Sequence, residues 1–259
     1  MNGRCDVDGR EMTTAGQLAL PLQLNEARTL DNYVPGPNEE AVAQIRALCA
    51  SDRLAEPGAG SGLFLWGAES TGRSHLLQAL CHGRAALGDT VMYLPLRERE
   101  GLEPAMLEGC ATLDLVCLDD LHAICGLPEW ERAVFRLFNE LRERGRLLVM
   151  TASSNPRHLP CRLPDLGSRL AWEVVLQLQP LSESECREAL CRRARARGMS
   201  LDDDTAGYLL RHWRRDLKAL FDLLEHLDMA SLQAQRRVTK AFVSEVLRSL
   251  SPPRATVSN

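Results

Sequence analysis

GAESTGRSH, residues 67–75, sets the architecture of this chain. It follows LFLW at 63–66, a short apolar run suited to a buried strand, and leads into SHLLQALCHGRAA at 74–86, where apolar residues recur at helical spacing. A glycine-rich loop between a strand and a helix is the setting a phosphate-binding loop requires. Gly67 and Gly72 allow the backbone to curl until its N–H groups face phosphate oxygens, and the helix N-terminus adds a favourable dipole. Ser74 stands where a hydroxyl would ligate magnesium, with His75 directly after it. One position departs from the GxxxxGK[ST] pattern: the lysine is replaced by Arg73. Taken alone, the segment also fits an ordinary glycine-rich turn.

Further along, LVCLDD at 115–120 reads as a strand ending in two carboxylates. Asp119 is the candidate for holding magnesium and Asp120 for polarising an attacking water, though acidic residues at a strand end also serve as helix caps. LLVMTASSN at 147–155 ends in a polar cluster of Thr151, Ser153, Ser154 and Asn155. Ligands of parallel sheets lie at the carboxyl ends of strands, which points this cluster at the γ-phosphate region, with Ser153 or a neighbour as the polar contact. The remaining strand candidates are VMYL at 91–94, LDLVCL at 113–118 and RLLVMT at 146–151. Helical patterns occur at 38–49 and 129–145, and EPGAGSG at 56–62 reads as a loop. Strands alternating with helices predict an α/β fold, a parallel sheet covered on both faces.

After Pro180 the pattern becomes helical throughout. Ser182 and Glu185 form a capping box for a helix that Gly198 would end. Asp202 to Asp204 offer caps for a second helix, DLKALFDLLEHLDMASL gives a long amphipathic third, and 239–250 gives a fourth. The expected organisation is an arm at 1–25, an α/β nucleotide-binding domain at 26–180, an all-helical domain at 181–250 and a polar tail at 251–259.

Composition narrows the function classes. The 259 residues, 45% hydrophobic and 25% charged, suffice for a substantial core. Asp6, Asp8 and Glu11 stand where a signal peptide would be basic, and no run approaches the ~18 apolar residues of a membrane span. Nine scattered cysteines, with no CxxC pair, suggest reduced thiols in a cytoplasmic protein rather than a disulfide frame or zinc site. A net charge of -4 gives no general reason to expect nucleic-acid binding. The basic stretch CRRARARG at 191–198, with acidic residues nearby and no interleaved aromatics, reads as a solvated face or protein contact.

The phosphate loop, LVCLDD, the polar third strand, LPDLGSRLAW and RRDLKALFDLLEHLD, in this order, resemble AAA+ ATPases of the DnaA type. With QLALPL near the N-terminus and LVCLDDLHAI, the resemblance extends to the Hda group of DnaA-related regulators over nearly the whole length. It implies a P-loop parallel sheet with a C-terminal helical lid. It assigns Gln17, Leu18, Leu20, Pro21 and Leu22 to a peptide that docks on the DNA polymerase sliding clamp; leucines fill apolar pockets and the glutamine amide fixes register. It makes Arg169 an arginine finger acting in trans on DnaA-bound ATP, and Arg215 a lid sensor reaching the phosphates of ADP or ATP with magnesium. With Arg73 for lysine and Asp120 for a longer acid, weak hydrolysis by the chain itself is expected. The implied role is inhibition of replication initiation, without sequence-specific DNA binding, since only SPPRATVSN follows the last helix. A homo-oligomer is compatible with the sequence. An autonomous ATPase of the helicase-loader type and a nucleotide-independent clamp adaptor are the alternatives.

Overall fold

The computed structural model describes residues 28–50, 62–98, 101–213 and 216–250. The segment 17–22 and Arg215 lie outside them. Five parallel strands, β1 (Leu63–Gly67), β2 (Val91–Pro95), β3 (Leu115–Asp119), β4 (Leu147–Ala152) and β5 (Val174–Leu178), form one sheet in the order β2-β3-β4-β1-β5. The register sets Pro95 opposite Asp119, Leu65 opposite Thr151 and Gly67 opposite Leu178, so the carboxyl ends of all five strands form one rim.

Helices α1 (Glu39–Ala50) and α2 (Arg73–Ala86) cover one face of the sheet; α3 (Pro128–Glu143) and α4 (Pro164–Leu170) cover the other. Alternation along the strands divides the core accordingly. Leu65, Cys117 and Val149 pack with Ile45, Leu76 and Leu80, whereas Phe64, Val116, Leu118 and Met150 pack with Val134, Leu137 and Phe138. Every residue of β3 and β4 is buried, which is why both read as continuous apolar runs rather than alternating ones. β5, at the sheet edge, leaves Val174 exposed. The strand expected at 113–118 forms two residues later, because Cys110–Thr112 is a 3-10 turn capped by Leu113; the shift brings Asp119 into the strand.

Four helices follow: α5 (Glu183–Ala196), α6 (Asp203–His212), α7 (Leu217–Ala234) and α8 (Lys240–Leu250). Ser182 and Glu185 form a reciprocal capping box at α5, and Gly198, at φ 74°, lies just beyond its end. Asp202 caps α6 through the Thr205 N–H, and Asp216 caps α7 through the N–H groups of Lys218 and Ala219. Their apolar faces close on a separate core containing Leu190, Leu209, Leu224, Phe242 and Val243. At the boundary the buried Asn38 donates to the Gln179 carbonyl at 3.0 Å and accepts from the Gln179 N–H at 2.7 Å, tying the start of α1 to the end of β5.

Candidate nucleotide-binding site

The loop between β1 and α2 occupies the centre of the rim. Its glycines answer to different constraints. A Cβ at Gly67 would lie 2.5 Å from the Leu178 carbonyl, and one at Gly72, which has φ +89°, would lie 2.6 Å from the Tyr33 ring. The first backbone bond of α2 runs from the Leu76 N–H to the Gly72 carbonyl, so the N–H groups of Arg73, Ser74 and His75 precede the helical ladder. This fits a phosphate chain seated on the loop and helix start. Burial pushes the Tyr33 hydroxyl pKa up to about 12, and Tyr33 donates to the Thr71 carbonyl at 3.3 Å, fixing the loop from outside.

Asp119 is held on both carboxylate oxygens. The Thr151 hydroxyl donates to Oδ1 at 2.5 Å, and the Tyr93 hydroxyl donates to Oδ2 at 2.6 Å. Burial and the adjacent carboxylate raise the Tyr93 pKa, so it remains a donor. A carboxylate offers about four lone-pair sites, so Asp119 keeps acceptor capacity beyond these two bonds. Thr151 also serves the neighbouring carboxylate. Its Oγ1 accepts the Asp120 N–H at 2.9 Å, which steadies Asp120 in the left-handed region at φ 57°.

Asp120 lies between two arginines. Arg73 Nη2 is 2.9 Å from Oδ1 and Arg97 Nε is 3.2 Å from Oδ2. The Arg73 side chain is only 7% exposed, and its Nη1 donates to the Gly67 carbonyl at 2.7 Å, so it joins the start of the phosphate loop to the end of β3. Arg97, in the turn after β2, also pairs with Glu69 of the loop at 3.0 Å. Ser153 has an exposed side chain and donates its backbone N–H to His122 Nδ1 at 3.2 Å. Burial lowers the His122 pKa, consistent with a neutral ring accepting that bond.

The remaining sequence candidates lie further out. His75 Nε2 donates to the Thr29 carbonyl at 2.8 Å and the ring meets Tyr33 edge-on, so its side chain fastens the segment ahead of α1 to α2. Burial, against the pull of the Thr29 carbonyl, lowers its pKa to about 4. Arg169, in α4, stacks over Trp172 at 4.6 Å and approaches Phe135 at 5.9 Å; neither partner belongs to the phosphate loop. Arg142 lies 5.4 Å from the same indole, which is 59% exposed. The loop also touches the C-terminal helices: the Ser70 hydroxyl, on a residue with φ 62°, donates to Asp216, the cap of α7. A cavity of about 400 Å³, lined by Trp66, Asn155, Arg157, Glu173 and Gln177, opens beside β5 and shares no residue with the loop.

Sequence patterns do not single out Tyr93, Arg97, His122 or Asp216. Pairing VMYL with LVCLDD in register is the signal that places Tyr93 and Arg97 beside the acidic pair.

The family described as the bacterial DnaA ATPase domain matches residues 24–177, and the Hda lid domain matches residues 183–247. The chain belongs to the DnaA-related AAA+ family, in its Hda type. Among solved structures, this Hda-type chain is similar to domain III of the Thermotoga maritima initiator DnaA, with a TM-score of 0.74 and 21% identity over 89% of this chain and 100% of that one. AMPPCP-bound DnaA from Aquifex aeolicus gives a TM-score of 0.67 at 18% identity, covering 87% of this chain and 70% of that one. The Thermotoga maritima RuvB branch-migration motor gives 0.63 at 13% identity, over 86% and 72% of the two chains. These likenesses establish the AAA+ fold: a five-stranded parallel sheet with a C-terminal helical lid, α5–α8. Among the described residues of the Hda-type chain, no helix is long and apolar enough to cross a membrane.

Proposed function

We propose that this chain is a cytoplasmic regulator that carries an adenine nucleotide, ADP in its working state, and converts DnaA-ATP to DnaA-ADP by supplying Arg169 in trans. The observation that carries the proposal is the placement of Arg169 on the half-open Trp172 platform, with neither of its ring partners in the phosphate loop. An arginine presented in this way suits a neighbouring active site, where a cation on the transferring phosphoryl group contributes ~10³ to 10⁵ in rate. In its own site, Asp120 already has Arg73 on one carboxylate oxygen and Arg97 on the other, contacts that compete with a water for both oxygens. The nucleotide would rest on the N–H groups of the loop and of α2, with magnesium at Ser74 and Asp119, and Arg215 would approach from the lid.

In this reading Gln17, Leu18, Leu20, Pro21 and Leu22 dock on the sliding clamp. The tether raises the effective concentration of Arg169 only where a clamp sits on DNA. The test is hydrolysis of radiolabelled ATP on DnaA with this protein, ADP and DNA-loaded clamp, each omitted in turn. Stimulation that requires all three, is lost in Arg169→Ala and weakens in Gln17→Ala with Leu18→Ala supports the proposal. Stimulation surviving in Arg169→Ala refutes the finger; steady ATP turnover by the protein alone points instead to an autonomous remodelling ATPase.

A further inference from the structure

Two thiols meet outside the nucleotide site. Cys125 lies in the turn before α3 and Cys161 in the segment between β4 and α4, yet their Sγ atoms are 3.4 Å apart. A buried carboxylate sets this approach. Glu131, fully buried in α3, accepts the N–H of Gly126 at 2.6 Å, of Arg162 at 3.0 Å and of Leu163 at 2.8 Å. Gly126 follows Cys125, and Arg162 follows Cys161, so one side chain clamps both cysteine-bearing segments side by side. Cys125 and Cys161 retain partial exposure, whereas Cys81 and Cys117 are buried completely.

We propose that Cys161 and Cys125 form a thiol–disulfide exchange site for a low-molecular-weight disulfide of the glutathione type, Cys161 attacking and Cys125 resolving. In the first step the Cys161 thiolate bonds to one sulfur of the glutathione disulfide. The S–S bond breaks, and one glutathione leaves as a thiolate that takes up the proton Cys161 gave up. In the second step Cys125 loses its proton, bonds to Cys161 Sγ and expels the other glutathione, which is protonated in turn. Two protein thiols are oxidised to one disulfide, and one glutathione disulfide is reduced to two thiols. Closing from 3.4 Å to a bond of about 2 Å requires a sulfur displacement of roughly 1.4 Å, within reach of side-chain rotation.

The 3.4 Å approach makes the pair, and the shared proton supports Cys161 as the attacking sulfur. The hydrogen bond the two thiols share lowers the Cys161 pKa against the opposing effect of burial, while the same bond and burial raise that of Cys125. A thiol with the larger thiolate fraction, partly open to solvent and beside a second thiol, is the pattern of a redox-responsive pair. The product bond would lock the turn before α3 to the segment leading into α4, the helix that carries Arg169.

The test uses the full chain, first reduced and then equilibrated in glutathione buffers of rising disulfide content, alkylated, digested without reduction and analysed by mass spectrometry. The expected result is a peptide pair joined through Cys125 and Cys161, two hydrogens lighter, while Cys81 and Cys117 are still recovered as alkylated thiols after unfolding. Cys125→Ser should trap a glutathione adduct on Cys161, and Cys161→Ser should slow glutathione uptake at Cys125 by about tenfold or more. Recovery of both thiols unmodified, an unresolved adduct in the unaltered chain, or earlier pairing of either cysteine with another partner would overturn the proposal. The first readout needs no substitution and is independent of any action on DnaA.

Discussion

Mild acid should unfasten the segment before α1. His75 is held neutral, its Nε2–H on the Thr29 carbonyl and its ring against Tyr33, and its pKa is lowered from 6.5 to about 4. A depressed histidine pKa means that the folded state favours the neutral ring. The contribution is therefore present above pH 6.5 and is lost as pH falls through 6.5 towards 4. Taking these two values, linkage gives a loss of about 2 kcal/mol between pH 7 and pH 5, rising to about 3 kcal/mol at full protonation. His75→Gln keeps a donor for Thr29 and removes the titration. Urea unfolding of both proteins at pH 7 and pH 5 isolates the term, because all other carboxylate and histidine contributions are common to both. The parent should lose about 2 kcal/mol more than the variant over this interval. Parallel losses would show that the ring titrates as it does in water and would refute the buried contact with Thr29.

Three further perturbations address the acidic rim and the Glu131 clamp. Thr151→Val removes the donor to Asp119 and orphans the Asp120 N–H, at a cost of about 2–4 kcal/mol in thermal unfolding; Thr151→Ser should stay near the parent, and equal behaviour of the two would remove the hydroxyl from the account. Asp120→Asn and Arg73→Met, measured singly and together by denaturant unfolding, should show a coupling of about 1–3 kcal/mol, since the Arg73 guanidinium is nearly enclosed; additive losses would mean that the ion pair contributes nothing. Glu131→Ala leaves three backbone donors without their acceptor and should destabilise the chain by on the order of 4 kcal/mol, whereas a loss below about 1 kcal/mol would show that water replaces the carboxylate.

Much of the architecture could be read from local chemistry. β3 and β4 are apolar throughout because helices cover both sheet faces, and Ser182 and Asp202 cap helices through their own neighbours in sequence. The loop glycines were legible for the same reason, although the atoms that demand them, the Leu178 carbonyl and the Tyr33 ring, come from distant segments. What each functional side chain touches was not legible. Tyr93 and Arg97 reach the acidic pair only once β2 lies in register with β3, and nothing in GRSH reveals that Arg73 turns to Asp120. His75 sits among phosphate-loop residues in sequence, but helical geometry directs its ring to Thr29. Arg215 and the segment 17–22 lie outside the described residues, so the sensor and clamp assignments rest on the resemblance.

The bond from Ser70 to Asp216 has a thermodynamic consequence. One carboxylate both starts α7, through Lys218 and Ala219, and receives the hydroxyl of the loop. If nucleotide entry draws Ser70 away, α7 is released from the loop; if a partner pulls α7 outward, the loop loses its anchor. The two events then share a single free energy, and reciprocity follows: the factor by which a bound partner weakens nucleotide retention is the factor by which the nucleotide weakens that partner's hold. The contents of the pocket would thus be felt, as grip strength, by whatever holds the lid.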